Sequence, residues 1–322
     1  MDHRSREEEF RRSIGQNIRN RPLPDRQNQE RREAIIHIGF IRSGNRPRGG
    51  RDGLERESEG SDVKACVLII EGTNCEQETK RALDLVGISA EIVHLKQFSG
   101  RLRKRDIWDY HAIVIPGGFS AGDYVRAGAI FSSYLRTTLG REIESYIEEG
   151  RVVLGICNGF QVLVESGLLP GFNPGKPEAA LSVNTRAKFE CREVTLLHSS
   201  EKGRCSIDIL IEKDELIRMP IAHMEGRFLA PREVLEELVS NDQVIFKYSD
   251  LQGEVKSEYP WNPNGSELNI AGICNPEGNV IGLMPHPERA VLEFQSQEWT
   301  RGGGRRDGFK LFYSLKHYLN EV

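Results

Sequence analysis

Short apolar runs alternate with amphipathic stretches from Val63 to the end of the chain. The run "KACVLII" at 64–70 predicts a first strand, and the stretch after it predicts a helix that stops at Gly87. "SAEIVHL" at 89–95 predicts a second strand, and "HAIVIPGGF" at 111–119 predicts a third that runs into a glycine turn. This alternation predicts an α/β fold with a doubly wound, mostly parallel sheet and helices on both faces.

The same pattern continues through the rest of the chain. It predicts, in chain order, one long helix over 127–149, a strand over 151–156, a helix that ends at Gly167, antiparallel strands within 179–211 ("FECREVTLL" and "CSIDILI"), a strand within 279–289 and a last helix over 309–319. In open sheets of this type, ligands bind at the carboxyl ends of the strands. Three predicted strand ends therefore matter most: Pro116-Gly117-Gly118, Cys157 and His286.

The stretch 1–62 differs in composition from the rest of the chain. It holds 14 arginines, 12 acidic residues and no lysine, and it has one short apolar run, "AIIHIGFI". Such a segment cannot bury enough surface to offset chain entropy, so we expect a disordered Arg-rich extension before one domain over 63–322. Three interpretations stay open: an arm that contacts RNA, a solvated tail, or a stretch that is not translated because Val63 is the start.

Charge and cysteine content narrow the class of protein. The net charge is −4, which gives no indication of nucleic-acid binding by the main domain. No apolar run approaches the roughly 20 residues that cross a bilayer, and the N-terminus lacks a signal-peptide core, so we expect a cytoplasmic protein. The six cysteines form no CxxC pair, which predicts free thiols without a disulfide framework or a metal site.

The segment "GICNGF" places Cys157 between two glycines where a predicted strand meets a predicted helix. This spacing is typical of a nucleophile elbow, in which the reactive side chain lies on a sharp turn. At a helix N-terminus the dipole favours a thiolate, and the N–H of Asn158 faces the position of a tetrahedral oxyanion. A buried structural thiol is the alternative. Cys75 also lies near a predicted helix start but lacks flanking glycines, so we interpret it as a structural or solvent-facing thiol.

A thiol nucleophile gains from a base, and the segment "MPHPER" offers one. His286 lies between two prolines after a predicted strand, and Glu288 follows two residues later. The carboxylate can fix the tautomer of the imidazole, as the third member of a catalytic triad does. A turn histidine beside an exposed glutamate is the alternative.

The glycine pair Gly117-Gly118 follows the third predicted strand. A glycine pair at this place can point a backbone N–H inward as a second oxyanion donor, although an ordinary turn also uses glycines. The Cys157 elbow, the pair of His286 and Glu288, and the glycine pair each have a role in one acyl-transfer mechanism. Together they indicate that mechanism more strongly than any one of them does alone.

Two further polar segments are open to more than one interpretation. His223 and Glu225 in "IAHMEGRF" either bind substrate or belong to a surface loop that contacts a partner. The stretch "DYVRAGAI" at 123–130 is either a helix start or part of an interface.

With these residues assembled, the sequence from about Val63 to the C-terminus resembles the triad (class I) glutamine amidotransferases, whose fold is flavodoxin-like. Within them it resembles the glutaminase subunits of phosphoribosylformylglycinamidine synthase from de novo purine biosynthesis. The segments that carry the resemblance are "EGTNCEQE", "IPGGFSAGDYVRAGAI", "GICNGFQVLVESGLLPG", "IAHMEGRF" and "NIAGICNPEGNVIGLMPHPERA". The stretch 1–62 has no counterpart in the pattern of that family.

Position by position, the resemblance implies that Cys157 is the nucleophile, His286 the general base and acid, and Glu288 the carboxylate that orients it. Gly118 and Asn158 would supply the N–H groups of the oxyanion hole. Candidates for contact with the substrate are Gly117, Gln161, His223 and Glu225.

The resemblance also implies the reaction and the partners. L-glutamine would be hydrolysed to glutamate through a cysteine thioester, and the ammonia would pass to a separate ATP-dependent synthetase subunit that converts formylglycinamide ribonucleotide to the amidine. A small third subunit bridges that complex. ATP and Mg²⁺ are expected on the synthetase and no cofactor on this chain, in which we find no P-loop or other nucleotide fingerprint.

Three other functions are alternatives to this one. One is another class I glutaminase or cysteine hydrolase on the same fold. A second is a non-catalytic regulatory member, which the presence of Cys157, His286 and Glu288 argues against. The third makes the Arg-rich stretch 1–62 the active part, as an RNA-binding arm.

Overall fold

Eleven strands and six α-helices form the regular structure of residues 63–100 and 105–321, which the computed structural model describes. The strands are β1 Lys64–Ile69, β2 Ser89–His94, β3 Ala112–Ile115, β4 Val152–Ile156, β5 Ala180–Ser182, β6 Glu190–His198, β7 Leu216–His223, β8 Arg227–Leu229, β9 Val244–Ser249, β10 Ile270–Cys274 and β11 Val280–Leu283. The helices are α1 Glu76–Leu85, α2 Ala129–Thr138, α3 Gly140–Glu148, α4 Asn158–Glu165, α5 Arg232–Ser240 and α6 Asp307–Glu321. The predicted extension over 1–62 lies outside the described residues.

Nine of these strands form one sheet in the order β2-β1-β3-β4-β11-β10-β9-β6-β7. The pairs from β2 to β11 are parallel. The pairs from β11 to β7 are antiparallel. The predicted α/β fold is therefore confirmed, with a mixed sheet in which the antiparallel half begins at β10.

The centre of the sheet is apolar on both faces. β3, β4 and β11 are buried along their whole length and consist mainly of Val, Ile and Leu, as is usual for parallel strands covered by helices. These three strands are neighbours, with β4 in the middle. Their carboxyl ends lead into Pro116-Gly117-Gly118, Cys157 and His286, so the topology brings the three predicted strand ends to one edge of the sheet.

Helix α4 lies unusually close to the sheet because glycines face the contact. A Cβ atom on Gly159 would lie 2.0 Å from the carbonyl oxygen of Ile115, and one on Gly155 would lie 2.6 Å from the Gly159 carbonyl. The atoms at these distances belong to the backbone, which cannot move aside as the tip of a flexible side chain can. The two glycines around Cys157 are therefore required for the first turn of α4 to pack on β3 and β4.

We predict that Gly159→Ala lowers the free energy of unfolding by about 3 kcal/mol, because the added methyl group overpacks a buried backbone contact. Urea unfolding should show a lower midpoint with an unchanged slope. The control is Ser133→Ala on the exposed face of α2, which should stay within about 0.5 kcal/mol of the wild type. Equal stability of the two variants would contradict the close approach.

Two predicted elements differ in the structure. The long helix over 127–149 is two helices, because Gly140 has a φ of +39° and the chain bends between α2 and α3. The segment "CSIDILI" at 205–211 forms turns and not a strand. Its alternating pattern is misleading because Asp208 turns its carboxylate inward and accepts from the Cys205 N–H at 3.0 Å, which closes a turn.

A buried polar cluster holds this turn segment against the sheet. The imidazole of His198, at the end of β6, lies 3.2 Å from Asp208 Oδ2 and 2.9 Å from the Glu212 carbonyl. Ser200 also donates to Asp208. Burial by itself lowers the pKa of His198, but the hydrogen bond and charge of Asp208 outweigh it and raise the pKa above its usual value. His198 and Asp208 thus form a buried ion pair once the imidazole is protonated.

Since the pKa of His198 is higher in the folded than in the unfolded state, its protonation stabilises the fold. That contribution is fully present below the unfolded pKa of about 6.5 and is lost as the pH rises through the folded pKa. We predict that the difference in unfolding free energy between the wild type and His198→Asn is largest near about pH 6 and shrinks above it. Urea titrations across the pH range measure this, and a constant difference would contradict it.

Among the helices that the structure describes, none combines the length and the apolar character needed to span a membrane.

Candidate active site

Cys157 lies on the turn between β4 and α4, at the centre of the sheet edge. Its φ is +51° and its ψ is −103°, a backbone conformation that is strained for any residue with a side chain. The turn is held because the Cys157 N–H donates to the Leu283 carbonyl at 2.8 Å and the Gln161 N–H donates to the Cys157 carbonyl at 3.1 Å. The predicted elbow is therefore present in the structure, with a thiol that is 5% exposed.

His286 and Glu288 form a buried pair at the end of β11. The Nδ1 atom of His286 lies 2.5 Å from Glu288 Oε1, and each residue is 1% exposed. The His286 N–H donates to the Pro220 carbonyl at 2.8 Å, which fixes the backbone of this corner. Because Nδ1 donates to the carboxylate, the imidazole presents Nε2 to its other side. That side faces Cys157, whose side chain forms a hydrogen bond with the imidazole.

The electrostatics of the pair set the proton affinity of the imidazole. Burial lowers the pKa of His286, but the charge of Glu288 and the nearby Cys157 thiol outweigh burial and raise the pKa to about 10. Cys157, His286 and Glu288 thus meet in the order that a triad requires: nucleophile, base, and orienting carboxylate.

The loop after β3 lies directly beside His286. A Cβ atom on Gly117 would lie 2.8 Å from His286 Cε1, so a larger residue would displace the imidazole. Gly118 has a φ of +135°, and its Cβ would lie 2.3 Å from Asn74 Oδ1. Asn158 opens α4, so its backbone N–H has no acceptor inside the helix. The oxyanion role of Gly118 and Asn158 stays a prediction, for which both residues lie at suitable places.

Cys75 is buried beside the triad, a position that its local sequence pattern did not indicate. Its Sγ atom and donor atoms of His286 and Glu288 all lie within 4.8 Å of one another. Arg289 donates to Cys75 Sγ at 3.2 Å and to Glu78 at 2.7 Å. Thiol, imidazole and carboxylate are zinc ligands in proteins, but the guanidinium on the sulfur opposes a cation, so we assign no metal here.

Burial and the charge of Glu288 raise the pKa of the Cys75 thiol well above its usual value, which keeps the thiol neutral. Cys75 therefore lies beside the catalytic pair as a neutral thiol and does not compete with Cys157 as a nucleophile. The signal that could have found Cys75 is its place after β1, since β1 and β3 are neighbours and their following loops meet. The Cys75 N–H donates to the Gly117 carbonyl at 3.3 Å.

A polar network links the elbow to the segment "HMEG". Asn158 Nδ2 donates to Gln161 Oε1 at 2.9 Å and to Asp123 Oδ1 at 3.3 Å. Gln161 Nε2 donates to the carbonyl of Glu225. The structure thus brings Gln161 and Glu225, two of the predicted substrate contacts, next to the nucleophile. It adds Asp123, which the sequence left open between a helix start and an interface.

His223 lies at the end of β7 and is 3% exposed. Its Nδ1 lies 3.2 Å from Asn184 Oδ1, which also accepts from the Gly226 N–H. Asn184 Oδ1 is therefore an acceptor, so Nδ1 carries the proton and Nε2 is a bare acceptor. Nε2 has no partner among the described residues. Burial and the charge of His286 lower the pKa of His223 to about 3, so the imidazole is neutral.

Comparison with known proteins shows the family to which this chain belongs. Residues 62–319 match the family model of the CobB/CobQ-like glutamine amidotransferase domain. The phosphoribosylformylglycinamidine synthase subunit PurQ of Archaeoglobus fulgidus is 48% identical over 274 residues, covering 81% of this chain and 98% of that protein. The corresponding PurQ subunit of Aquifex aeolicus is 41% identical over 254 residues, covering 79% of this chain and 99% of that protein. The chain belongs to the PurQ family of glutamine amidotransferases.

A solved structure agrees with this assignment. The "Structure of PurLQS from Thermotoga maritima" contains a chain that is 36% identical, with a TM-score of 0.62, covering 80% of this chain and 99% of that chain. Membership of the PurQ family confirms the predicted enzyme class and function: the chain is a PurQ-type glutaminase subunit of purine biosynthesis. The individual residue roles in its active site remain predictions.

The role of the carboxylate gives a testable prediction. We expect Glu288→Gln to lower the pKa of His286, because the neighbouring negative charge is what offsets burial. We also expect kcat/KM for glutamine to fall about 100-fold, since the base loses proton affinity and orientation. NMR titration of the His286 ring measures the first effect and glutamate release the second.

The matched control for this test is Glu78→Gln, which removes a carboxylate that pairs with Arg289 and does not touch His286. This control should leave the His286 titration close to that of the wild type. A wild-type-like titration in Glu288→Gln would show that Glu288 does not govern the base.

Proposed function

We propose that this chain hydrolyses L-glutamine to glutamate and ammonia at Cys157, as the glutaminase subunit of a phosphoribosylformylglycinamidine synthase. The observation that carries the proposal is the strained Cys157 elbow beside the buried pair of His286 and Glu288. A structural cysteine does not require a strained backbone, and a structural histidine does not require a buried carboxyl group 2.5 Å from its Nδ1 atom.

The first half of the reaction forms a thioester. Because the pKa of His286 is raised to about 10, its imidazole already holds the thiol proton on Nε2 at neutral pH, and Cys157 Sγ forms a bond as a thiolate to the side-chain carbonyl carbon of glutamine. The carbonyl electron pair moves to oxygen, where the N–H groups of Gly118 and Asn158 would stabilise the oxyanion. As the tetrahedral intermediate collapses, the carbon–nitrogen bond breaks and His286 gives its proton to the leaving nitrogen, which departs as ammonia.

The second half of the reaction releases glutamate. A water molecule attacks the thioester carbon, and His286 takes one of its protons. The carbon–sulfur bond then breaks, the proton returns to the sulfur, and the thiol of Cys157 is restored. One water molecule is consumed for each glutamine, so atoms and charge balance without any cofactor on this chain. Throughout, Glu288 holds the imidazole through Nδ1, so that only Nε2 exchanges protons.

We further propose that the ammonia is used by partner subunits. The Thermotoga maritima relative belongs to a PurLQS structure, which supports association with a synthetase subunit and a small bridging subunit. In this scheme the synthetase binds ATP and Mg²⁺ and converts formylglycinamide ribonucleotide to its amidine. Ammonia is a nucleophile only when it is unprotonated. Direct transfer between the subunits keeps it unprotonated until it reacts on the synthetase.

The test uses the chain together with its partner subunits from the native host. We expect the wild type to release glutamate from glutamine and to support glutamine-dependent amidine formation. Cys157→Ala should lower both by about 1,000-fold or more and leave amidine formation from added ammonia unchanged. Cys191→Ala, which changes an exposed thiol, is the control and should behave as the wild type.

The outcomes separate the alternatives. Glutamate release without amidine formation would indicate another class I glutaminase. Amidine formation from glutamine by Cys157→Ala would indicate a non-catalytic member of the fold. Neither outcome depends on residues 1–62.

A further inference from the structure

A cavity of about 240 Å³ lies where α2, α3 and the segment after α4 meet. The last turn of α2 and the first two turns of α3 form most of its wall, and the chain that follows α4 closes it. Cys157 precedes the first turn of α4, so this cavity lies at the other end of that helix from the nucleophile. None of its lining residues has a part in the proposed reaction.

Two arginines in the wall of this cavity have no partner inside the described protein. Within residues 63–100 and 105–321, neither Arg136 nor Arg141 takes part in an ion pair or a side-chain hydrogen bond. The chain bends at Gly140, whose φ is +39°, and the bend places both arginines around one cavity. Their guanidinium groups keep their charge and offer planar forks of N–H donors. The pair is therefore suited to an anion with several acceptor oxygens.

The charge of the two arginines favours a phosphate group over a carboxylate. A phosphate monoester carries about −1.5 to −2 charges at neutral pH and three acceptor oxygens. Two guanidinium groups can bind it through bidentate, charge-assisted hydrogen bonds. A carboxylate carries a single charge and two oxygens, so it matches one guanidinium and leaves the other without a partner.

The rest of the lining indicates what the phosphate is attached to. Glu144 also lines the cavity and takes part in no ion pair of the part of the chain that the structure describes. Its carboxylate repels a phosphate, so it must meet a different part of the ligand, and hydroxyl groups are the neutral donors that it accepts from. Ser166 is 2% exposed and donates to the Leu163 carbonyl at 3.0 Å, which leaves its oxygen as an acceptor.

The apolar part of the wall and the volume limit the ligand further. Leu135, Ile143 and Leu168 are buried and supply an aliphatic surface. A sugar ring presents C–H groups to such a surface and hydroxyl groups to the carboxylate. Sites for drug-sized ligands have volumes of roughly 300–1,000 Å³, and this cavity is smaller. It fits a phosphorylated pentose better than a whole nucleotide.

We propose that this cavity binds a small sugar phosphate, with the phosphate on Arg136 and Arg141 and the sugar hydroxyl groups on Glu144. A ribose 5-phosphate moiety has this composition. The inference goes beyond the proposed function, because it gives the chain a second ligand at a place that Cys157 does not reach. Since Ser166 directly follows α4, the bound ligand joins the end of that helix to α2 and α3.

The experiment measures binding to the full chain by isothermal titration calorimetry with ribose 5-phosphate, inorganic phosphate and ribose. We expect ribose 5-phosphate to bind at one site, inorganic phosphate to bind at least about 10-fold more weakly, and ribose not to bind. Arg136→Gln and Arg141→Gln should each weaken the binding of ribose 5-phosphate about 10-fold or more, because each removes charge-assisted hydrogen bonds. Both arginines are exposed, so the urea midpoints should stay close to that of the wild type.

A third variant separates the two halves of the ligand. Glu144→Gln removes the charge that repels an anion, so inorganic phosphate should bind more tightly than to the wild type. The same change weakens the acceptor for the sugar hydroxyl groups. The ratio of the two affinities, ribose 5-phosphate over inorganic phosphate, should therefore fall.

The matched control is Arg81→Gln, which removes an exposed guanidinium from α1 that does not line the cavity. It should bind ribose 5-phosphate as the wild type does. A second measurement is thermal unfolding, since a ligand that binds the folded state raises its Tm. Ribose 5-phosphate should raise the Tm of the wild type and of Arg81→Gln, and should leave that of the double variant Arg136→Gln/Arg141→Gln unchanged.

Each outcome decides between binding and its absence. Equal affinities in the cavity variants and in Arg81→Gln, or no binding to the wild type, would overturn the site. Equal affinities for ribose 5-phosphate and inorganic phosphate in the wild type would overturn the assignment of a sugar phosphate. Glutamate release without added ligand should be the same in all the variants, so a failure here leaves the proposed function intact.

Discussion

The contact between Gly159 and the Ile115 carbonyl determines how closely the first turn of α4 can lie on the sheet. The nucleophile depends on that distance, because Cys157 must leave β4 and enter α4 within one residue. Its φ of +51° is the conformation that this short connection requires. Strain of this kind persists only where surrounding contacts hold it. Here those contacts are the glycine packing and the hydrogen bonds to Leu283 and from Gln161.

The same close approach explains why a side chain as short as that of Cys157 can be the nucleophile. A thiol reaches only a little way from the backbone, so base and oxyanion donors must come to it. Neighbouring parallel strands on both sides of β4 achieve this, because their carboxyl ends lie at the same level. β11 brings His286 from one side, and β3 brings Gly117 and Gly118 from the other. The order β3-β4-β11 is thus the arrangement on which the chemistry depends.

Much of this could be predicted from local patterns, and the failures have physical reasons. The apolar runs of β1 to β4 and the motifs at Cys157 and His286 are local features, so periodicity and spacing find them. The position of β11 beside β4 is not local, since buried strands have similar composition whichever strand they pair with. Cys75 and Asp123 were missed for the same reason, because their roles depend on which loops meet. The strand predicted over 205–211 was wrong, because the inward carboxylate of Asp208 closes a turn there in spite of the alternating pattern.

The antiparallel half of the sheet places an edge strand against the site. β7 is the edge strand of the sheet, and an edge strand has carbonyl groups without partners in the sheet. Two of these carbonyls meet the catalytic groups: Pro220 accepts from the His286 N–H, and the Ala222 carbonyl lies 3.8 Å from Cys157 Sγ. Because β7 is held there, the turn that follows it must lie over the elbow. That turn carries Glu225, whose backbone carbonyl accepts a hydrogen bond from Gln161 Nε2. The parallel strands therefore bring Cys157, His286 and the glycine pair together, and β7 of the antiparallel half supports them through its backbone carbonyls.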